Sequence, residues 1–121
     1  MLPFAMLVPL EQVAFARSGD KGDDSNVGLI ARTPAIYEVL RRVITEEWVA
    51  ERLGAIARGG VRRFEVPNVL GLNFLLRDSR GGGGTASLLT DAQGKTHAQA
   101  LLRCQVEIPA ELLDDAAMLA T

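Results

Sequence analysis

Apolar and polar residues alternate with two different periods along this chain, and the switch points mark its elements. Glu11 to Arg17 puts Val13 and Phe15 on one face, which predicts a strand. Asn26 to Arg32, with Val27, Leu29 and Ala31 alternating, predicts a second. Thr33 followed by Pro34 is a helix start: a hydroxyl cap, then proline at the first helical position. Ile36, Leu40, Val43 and Ile44 follow at helical spacing. Thr45 before Glu46 and Glu47 restarts or continues the helix, because acids favour its positive end. Val49, Leu53 and Ile56 extend the apolar stripe, and Gly59 and Gly60 are expected to end it.

Val61 to Val66 predicts a strand stopped by Pro67. "LGLNFLLRDS" matches both periods, and a short helix is the favoured reading. A strand is expected from Thr85 to Thr90, and "DAQGK", with Asp91 opening and Gly94 free to take positive φ, reads as a hairpin turn. Thr96 to Ile108 then alternates: Thr96, Ala98, Ala100, Leu102, Cys104, Val106 and Ile108 fall on one side, with only Leu101 out of place. That pattern predicts a long half-buried strand, closed by Pro109. It is about twice the length of its predicted partner, and its surplus backbone groups need another strand. That strand comes from this chain or from a second copy, and a homo-oligomer is the expectation favoured. The acidic, alanine-rich end, residues 110–121, reads as a tail with a loose helix. The sum is one α+β domain over residues 1–121, an antiparallel sheet with helices mainly on one face.

Composition narrows the function classes. Thirteen basic against fifteen acidic residues give a net charge of −2, with no basic stripe interleaved with aromatics, so nucleic acid is a disfavoured partner. A single cysteine, Cys104, excludes an internal disulfide framework and fits a reducing compartment. "MLPFAMLVPL" is apolar but lacks a basic lead and is too short to span a bilayer. Residues 1–9 therefore read as an arm leading into the first strand, and a cytoplasmic protein with no membrane partner is expected.

Several motifs suggest chemistry and mostly fail. "GKT" at Gly94 to Thr96 resembles a P-loop ending, but Leu89 stands where that motif needs glycine, and a strand is expected to follow. Gly81 to Gly84 lack a strand–GxGxxG–helix frame, although bare N–H groups there suit an anion nest as well as a plain loop. On one strand, His97 and Cys104 would sit on opposite faces about 20 Å apart, too far for a nucleophile–base pair. A zinc site from this chain lacks ligands. The stretch "RSGDKGDDSN", Arg17 to Asn26, carries more charge than a turn requires. Its oxygens suit a hard cation, but Lys21 sits among them, and paired Asx-type turns with Gly19 and Gly22 at positive φ fit better. No metal is assigned.

Three ordered blocks carry a wider likeness: RSGDKGD with the following Asn26 and Gly28, the segment from "PN" at Pro67 to "LNF", and "GGGGT" with Asp91, Gly94, Lys95 and then "ALL" beyond it; Tyr37 falls between the first two. Together, from Leu10 to Pro109, they resemble the C-terminal domain of the acyclic terpene utilization (AtuA) family, described as ferredoxin-like. The resemblance implies a small domain that, in long members, follows a much larger one and serves breakdown of acyclic terpenes such as citronellol and geraniol through acyl-CoA intermediates. Short members look like partners of a separate large protein. It implies, for this chain, an accessory subunit or domain with a large AtuA-like partner, and it carries no catalytic residue or cofactor across.

The expected functional surface comprises Arg17, Ser18, Gly19, Asp20, Lys21, Gly22, Asp23, Asn26, Asn68, Asn73, Gly81, Gly82, Gly83, Gly84 and Thr85, with the two glycine-bearing loops close together. Two rival readings remain. One is a stand-alone enzyme for a small anionic substrate, with Arg17 and Lys21 as counter-charge, glycine-loop N–H donors and a loop aspartate as base. The other is a structural oligomer-forming domain without a ligand.

Overall fold

A computed structural model of the chain describes residues 5–21, 24–54, 57, 59–77 and 90–113. Strand β1 (Ala5–Pro9) leads through one 3-10 turn into β2 (Ala14–Lys21), which hairpins to β3 (Asp24–Ala31). Helices α1 (Pro34–Val43) and α2 (Glu46–Leu53) follow, then β4 (Val61–Val66), β5 (Gly71–Leu76), α3 (Thr90–Arg103) and β6 (Gln105–Pro109). β2, β3, β5 and β4, in that spatial order, form an antiparallel sheet, and β1 pairs with β6 in a second. β5 lies between β3 and β4, which run the same way, so β3, the helices, β4 and β5 make the split βαβ arrangement of a ferredoxin-like fold. β2 supplies the fourth strand at the free edge of β3.

Local chemistry explains the helix starts. The Thr33 hydroxyl accepts from the Ile36 N–H at 3.1 Å with Pro34 in the first turn, and the Thr45 hydroxyl accepts from the Trp48 N–H at 3.0 Å. Each cap satisfies a donor that the first turn leaves without an intrahelical partner, and is worth about 1 kcal/mol. α2 ends at Gly54, earlier than Gly59 and Gly60. Those glycines shape the entry to β4 instead: Gly60 has φ +103°, and a Cβ on Gly59 would lie 2.8 Å from the Arg77 carbonyl oxygen.

The core forms where the sheet meets the helices, from Val27, Leu29, Leu72, Phe74, Leu76, Ile36, Leu40, Val49 and Leu101, among others. Val27, Leu29 and Ala31 are buried on β3 as their alternation predicts. Phe15 is not. It is 53% exposed on the far side of the sheet, because the pleat of β2 turns Ala14 inward.

Two expectations are overturned. "LGLNFLL" is strand β5, with Leu72, Phe74 and Leu76 buried, reached through a 3-10 turn at Pro67–Val69 and a left-handed Leu70 at φ 58°. Leucines at both parities made the two periods hard to separate. The supposed turn at Asp91 to Gly94 and the long strand from Thr96 are instead helix α3 followed by the short β6. The apparent strand pattern rested on alanines, which are strong helix formers. Leu101, out of place in a strand, is fully buried together with His97 and Ala98, one helical face. "GKT" lies inside this helix. Of the expected Thr85 to Thr90 strand, Thr90 begins α3 and the rest lies outside the described residues. β6 pairs along its whole length with β1, so the surplus strand that argued for self-association does not exist, and Ala5–Pro9 of the expected arm is that partner. No helix among the described residues is long and apolar enough to cross a membrane.

Candidate functional site

The charged stretch that opens at Arg17 is mostly strand. Arg17 to Lys21 belong to β2 and Asp24 to Asn26 to β3, with Arg17 opposite Gly28, Ser18 opposite Val27, Gly19 opposite Asn26, Asp20 opposite Ser25 and Lys21 opposite Asp24. A strand sends successive side chains to opposite faces, so these residues cannot share one surface. Ser18 goes inward: its Oγ accepts from the Ala98 N–H of α3 at 3.1 Å, tying helix to sheet. Arg17 and Gly19 go outward.

The registers of the three strand pairs define the outward face. One row across it is Phe15, Ile30, Gly71, Val66; the next is Arg17, Gly28, Asn73, Phe64; the third is Gly19, Asn26, Leu75, Arg62. Residues from two of the sequence blocks meet at its centre. Asn26 Nδ2 donates to Asn73 Oδ1 at 3.2 Å. A Cβ on Gly19 would lie 2.6 Å from Asn26 Oδ1, so glycine there leaves room for the amide pair. On Gly28 a Cβ would find Asn73 Oδ1 at 3.9 Å, an ordinary contact. A glycine in each row keeps the face low, with the amides standing on a bare strip of backbone.

Around this centre the face is apolar and basic. Phe15, Phe64 and Val66 are 53%, 45% and 40% exposed. The Arg32 guanidinium lies 4.0 Å from the centroid of the Phe15 ring, and that of Arg62 lies 5.7 Å from Phe64. Neither these two nor Arg17 has a carboxylate partner among the described residues. Three of the helix-side arginines do: Arg41 with Glu38 at 2.8 Å, Arg63 with Glu65 at 3.1 Å, and Arg52 with Glu51 at 3.5 Å, whereas Arg42 donates to the Glu38 backbone carbonyl. Arg32, Arg62, Phe64 and Phe15 were not picked out from the sequence as site residues. The alternation of "VRRFEV" could have shown Arg62, Phe64 and Val66 on one side, but not that this side is open.

The other expected site residues fall elsewhere. Asn68 is exposed in the β4–β5 turn, at the end of the sheet away from the β2–β3 hairpin tip. Gly22, Asp23 and Gly81 to Thr85 lie outside the described residues, and so does the expected meeting of the two glycine-bearing loops. For Asp20 and Lys21 only the backbone is described.

Three features away from this face carry chemistry of their own. Tyr37 is buried, and its hydroxyl has no hydrogen-bond partner among the described residues; burial first, then the charge of Glu65, pushes its pKa above the ordinary 10.0. His97 and Cys104 are separated by about 10 Å of helical rise rather than by an extended strand. Cys104 Sγ donates to the Ala100 carbonyl at 3.3 Å, and burial raises its pKa. An open cleft of about 310 Å³ is lined by Thr45, Glu46, Glu47 and Arg63. Its main groups already hold the fold: Glu46 Oε2 accepts from the Arg63 N–H at 2.9 Å, and the Arg63 guanidinium donates to the Arg41 and Ile44 carbonyls at the end of α1.

The model of one protein family, the AtuA ferredoxin-like domain, matches residues 8–107. No curated protein and no solved structure matches the chain.

Proposed function

The chain belongs to the AtuA ferredoxin-like domain family, and we propose that it acts in the cytoplasm as an accessory subunit or domain of an AtuA-like complex in acyclic terpenoid or acyl-CoA catabolism. The observation that carries this reading is the convergence of Gly19, Asn26, Gly28 and Asn73, from two separate sequence blocks, on one exposed sheet face. Those residues do little for the core, which is built from the opposite face of the same strands. A flat surface with exposed aromatics, arginines and fixed amides has the anatomy of a contact between macromolecules more than that of a small-molecule pocket, which is concave. In this role the chain binds and positions, and the larger protein supplies the chemistry.

The test is reconstitution. The chain and the large AtuA-like protein encoded in the same genome are purified separately and mixed. Co-elution as one complex is expected, together with terpenoid acyl-CoA turnover that needs both. Separate elution, with full turnover by the large protein alone, would remove the proposal.

A further inference from the structure

We infer that the outer face of the β2–β3–β5–β4 sheet is a docking surface for an acidic protein surface that carries apolar side chains among its carboxylates. The inference rests on the accessory role just proposed and names where and how the partner is held.

Charge distribution chooses the occupant. The whole chain is slightly acidic, yet among the residues whose side chains are described this face carries Arg17, Arg32 and Arg62 against one acid, Asp24. Each helix-side ion pair described above is satisfied within the chain. The outer arginines have no carboxylate among the described residues, so a partner's carboxylates would complete them. A second copy meeting face to face would bring arginines against arginines, which disfavours self-pairing. Nucleic acid fits poorly too. Stacking of successive bases needs several free aromatic faces, and with Phe15 covered by Arg32 at 4.0 Å only Phe64 is left on this face among the described residues.

Shape and polarity agree with this choice. With a glycine in each row, a partner can approach the strands closely over the middle of the sheet. Phe64 and Val66 then offer apolar area to bury on one flank. At the centre the Asn26–Asn73 pair presents amide groups held in fixed orientation, which gives the contact direction as well as area.

The experiment titrates the chain into the large AtuA-like protein of the same genome by calorimetry, at low and moderate salt. The double variant Arg17→Glu/Arg62→Glu is compared with Glu47→Lys/Glu51→Lys on the helix side, and thermal melts confirm that both fold. The expected result is at least a tenfold loss of affinity for the outer-face variant, an unchanged affinity for the helix-side variant, and weaker wild-type binding as salt rises. If the wild type binds but the helix-side variant alone loses affinity, the docking face is wrong and the accessory role stands. If the wild type does not bind at all, the accessory role fails and the inference falls with it. Two further measurements can each overturn the choice of occupant: a dimer mass in light scattering that Arg62→Glu abolishes, or oligonucleotide binding that the arginine variant abolishes.

Discussion

The two faces of the four-stranded sheet are made from the same strands and differ by one residue in register, yet they answer to different demands. Facing the helices are Val27, Leu29, Leu72, Phe74 and Leu76, each no more than 1% exposed. Facing outward are glycines, two hydrogen-bonded asparagines, arginines without acid partners among the described residues, and exposed phenylalanines. Burial of apolar area against the helices stabilises the domain, so that face tolerates little change. The outer face contributes little burial and is free of that constraint. A single strand can thus serve stability and recognition at once, because the pleat separates them at every step.

The sharpest way to break this comparison uses β6, where the same alternation holds. Val106 is 2% exposed and Gln105 is exposed. Val106→Asp should unfold the domain, with a loss above about 3 kcal/mol for an unpaired buried charge. Gln105→Asp should melt like wild type. Similar melting of the two variants in urea would show that the register is wrong. Next in size is a pair of phenylalanines on the main sheet. Phe74→Ala should cost about 3–5 kcal/mol because it empties a core site, whereas Phe64→Ala should cost less than about 1 kcal/mol and leave chemical denaturation nearly unchanged.

A third pair sharpens the outer face itself. Gly19→Ala drives a methyl group into Asn26 Oδ1, so the amide must move and its bond to Asn73 is lost; about 1 kcal/mol of stability should go with it. Gly28→Ala has space and should stay within about 0.5 kcal/mol. Equal effects would show that the amide pair is not held as described.

An effect of the same size as that of Gly19→Ala but of opposite sign belongs to Tyr37. Its buried hydroxyl lacks a partner among the described residues, so Tyr37→Phe should stabilise the domain by about 1 kcal/mol. The raised pKa adds a pH signature. In the unfolded chain the phenol ionises near 10.0, while in the native chain it keeps its proton to higher pH. The native state therefore binds more protons above that point, and stability falls as pH rises through and beyond it. Denaturation of wild type and Tyr37→Phe at pH 8 and pH 10.5 should show the gap between them widening at the higher pH.

How much of this was readable in advance depends on whether a signal is local. The cap at Thr33, the core face of β3 and the stop at Pro67 all follow from chemistry within a few residues, and the structure places them as expected; at Thr45, where the sequence left restart or continuation open, a second cap restarts the helix. β5 and α3 do not. In β5 the leucines suit either period, and only pairing with β3 and β4 on both sides selects the strand. In α3 the glycine at position 94 argued for a turn, and small alanines imitated a strand, until packing against β2 decided the outcome. The candidate surface was legible as a set of motifs but not as a surface. Ser18 and Gly19 are adjacent, and nothing in their identities says that one will bond to a helix while the other makes room for Asn26. That division comes from the register of strands far apart in the chain.

Strand β4 is the outermost strand on its side, and Arg63 turns its N–H away from β5 toward solvent, where the Glu46 carboxylate takes it up. An open strand edge is a template for adding further strands, the route by which sheets join end to end into larger aggregates. A carboxylate parked on the middle of that edge fills the position a newcomer's carbonyl would need, and its charge repels the newcomer. Growth in the plane of the sheet is obstructed on this side while the broad outer surface stays accessible. Edge-on pairing through β4 is thereby costly, whichever chain brings the extra strand.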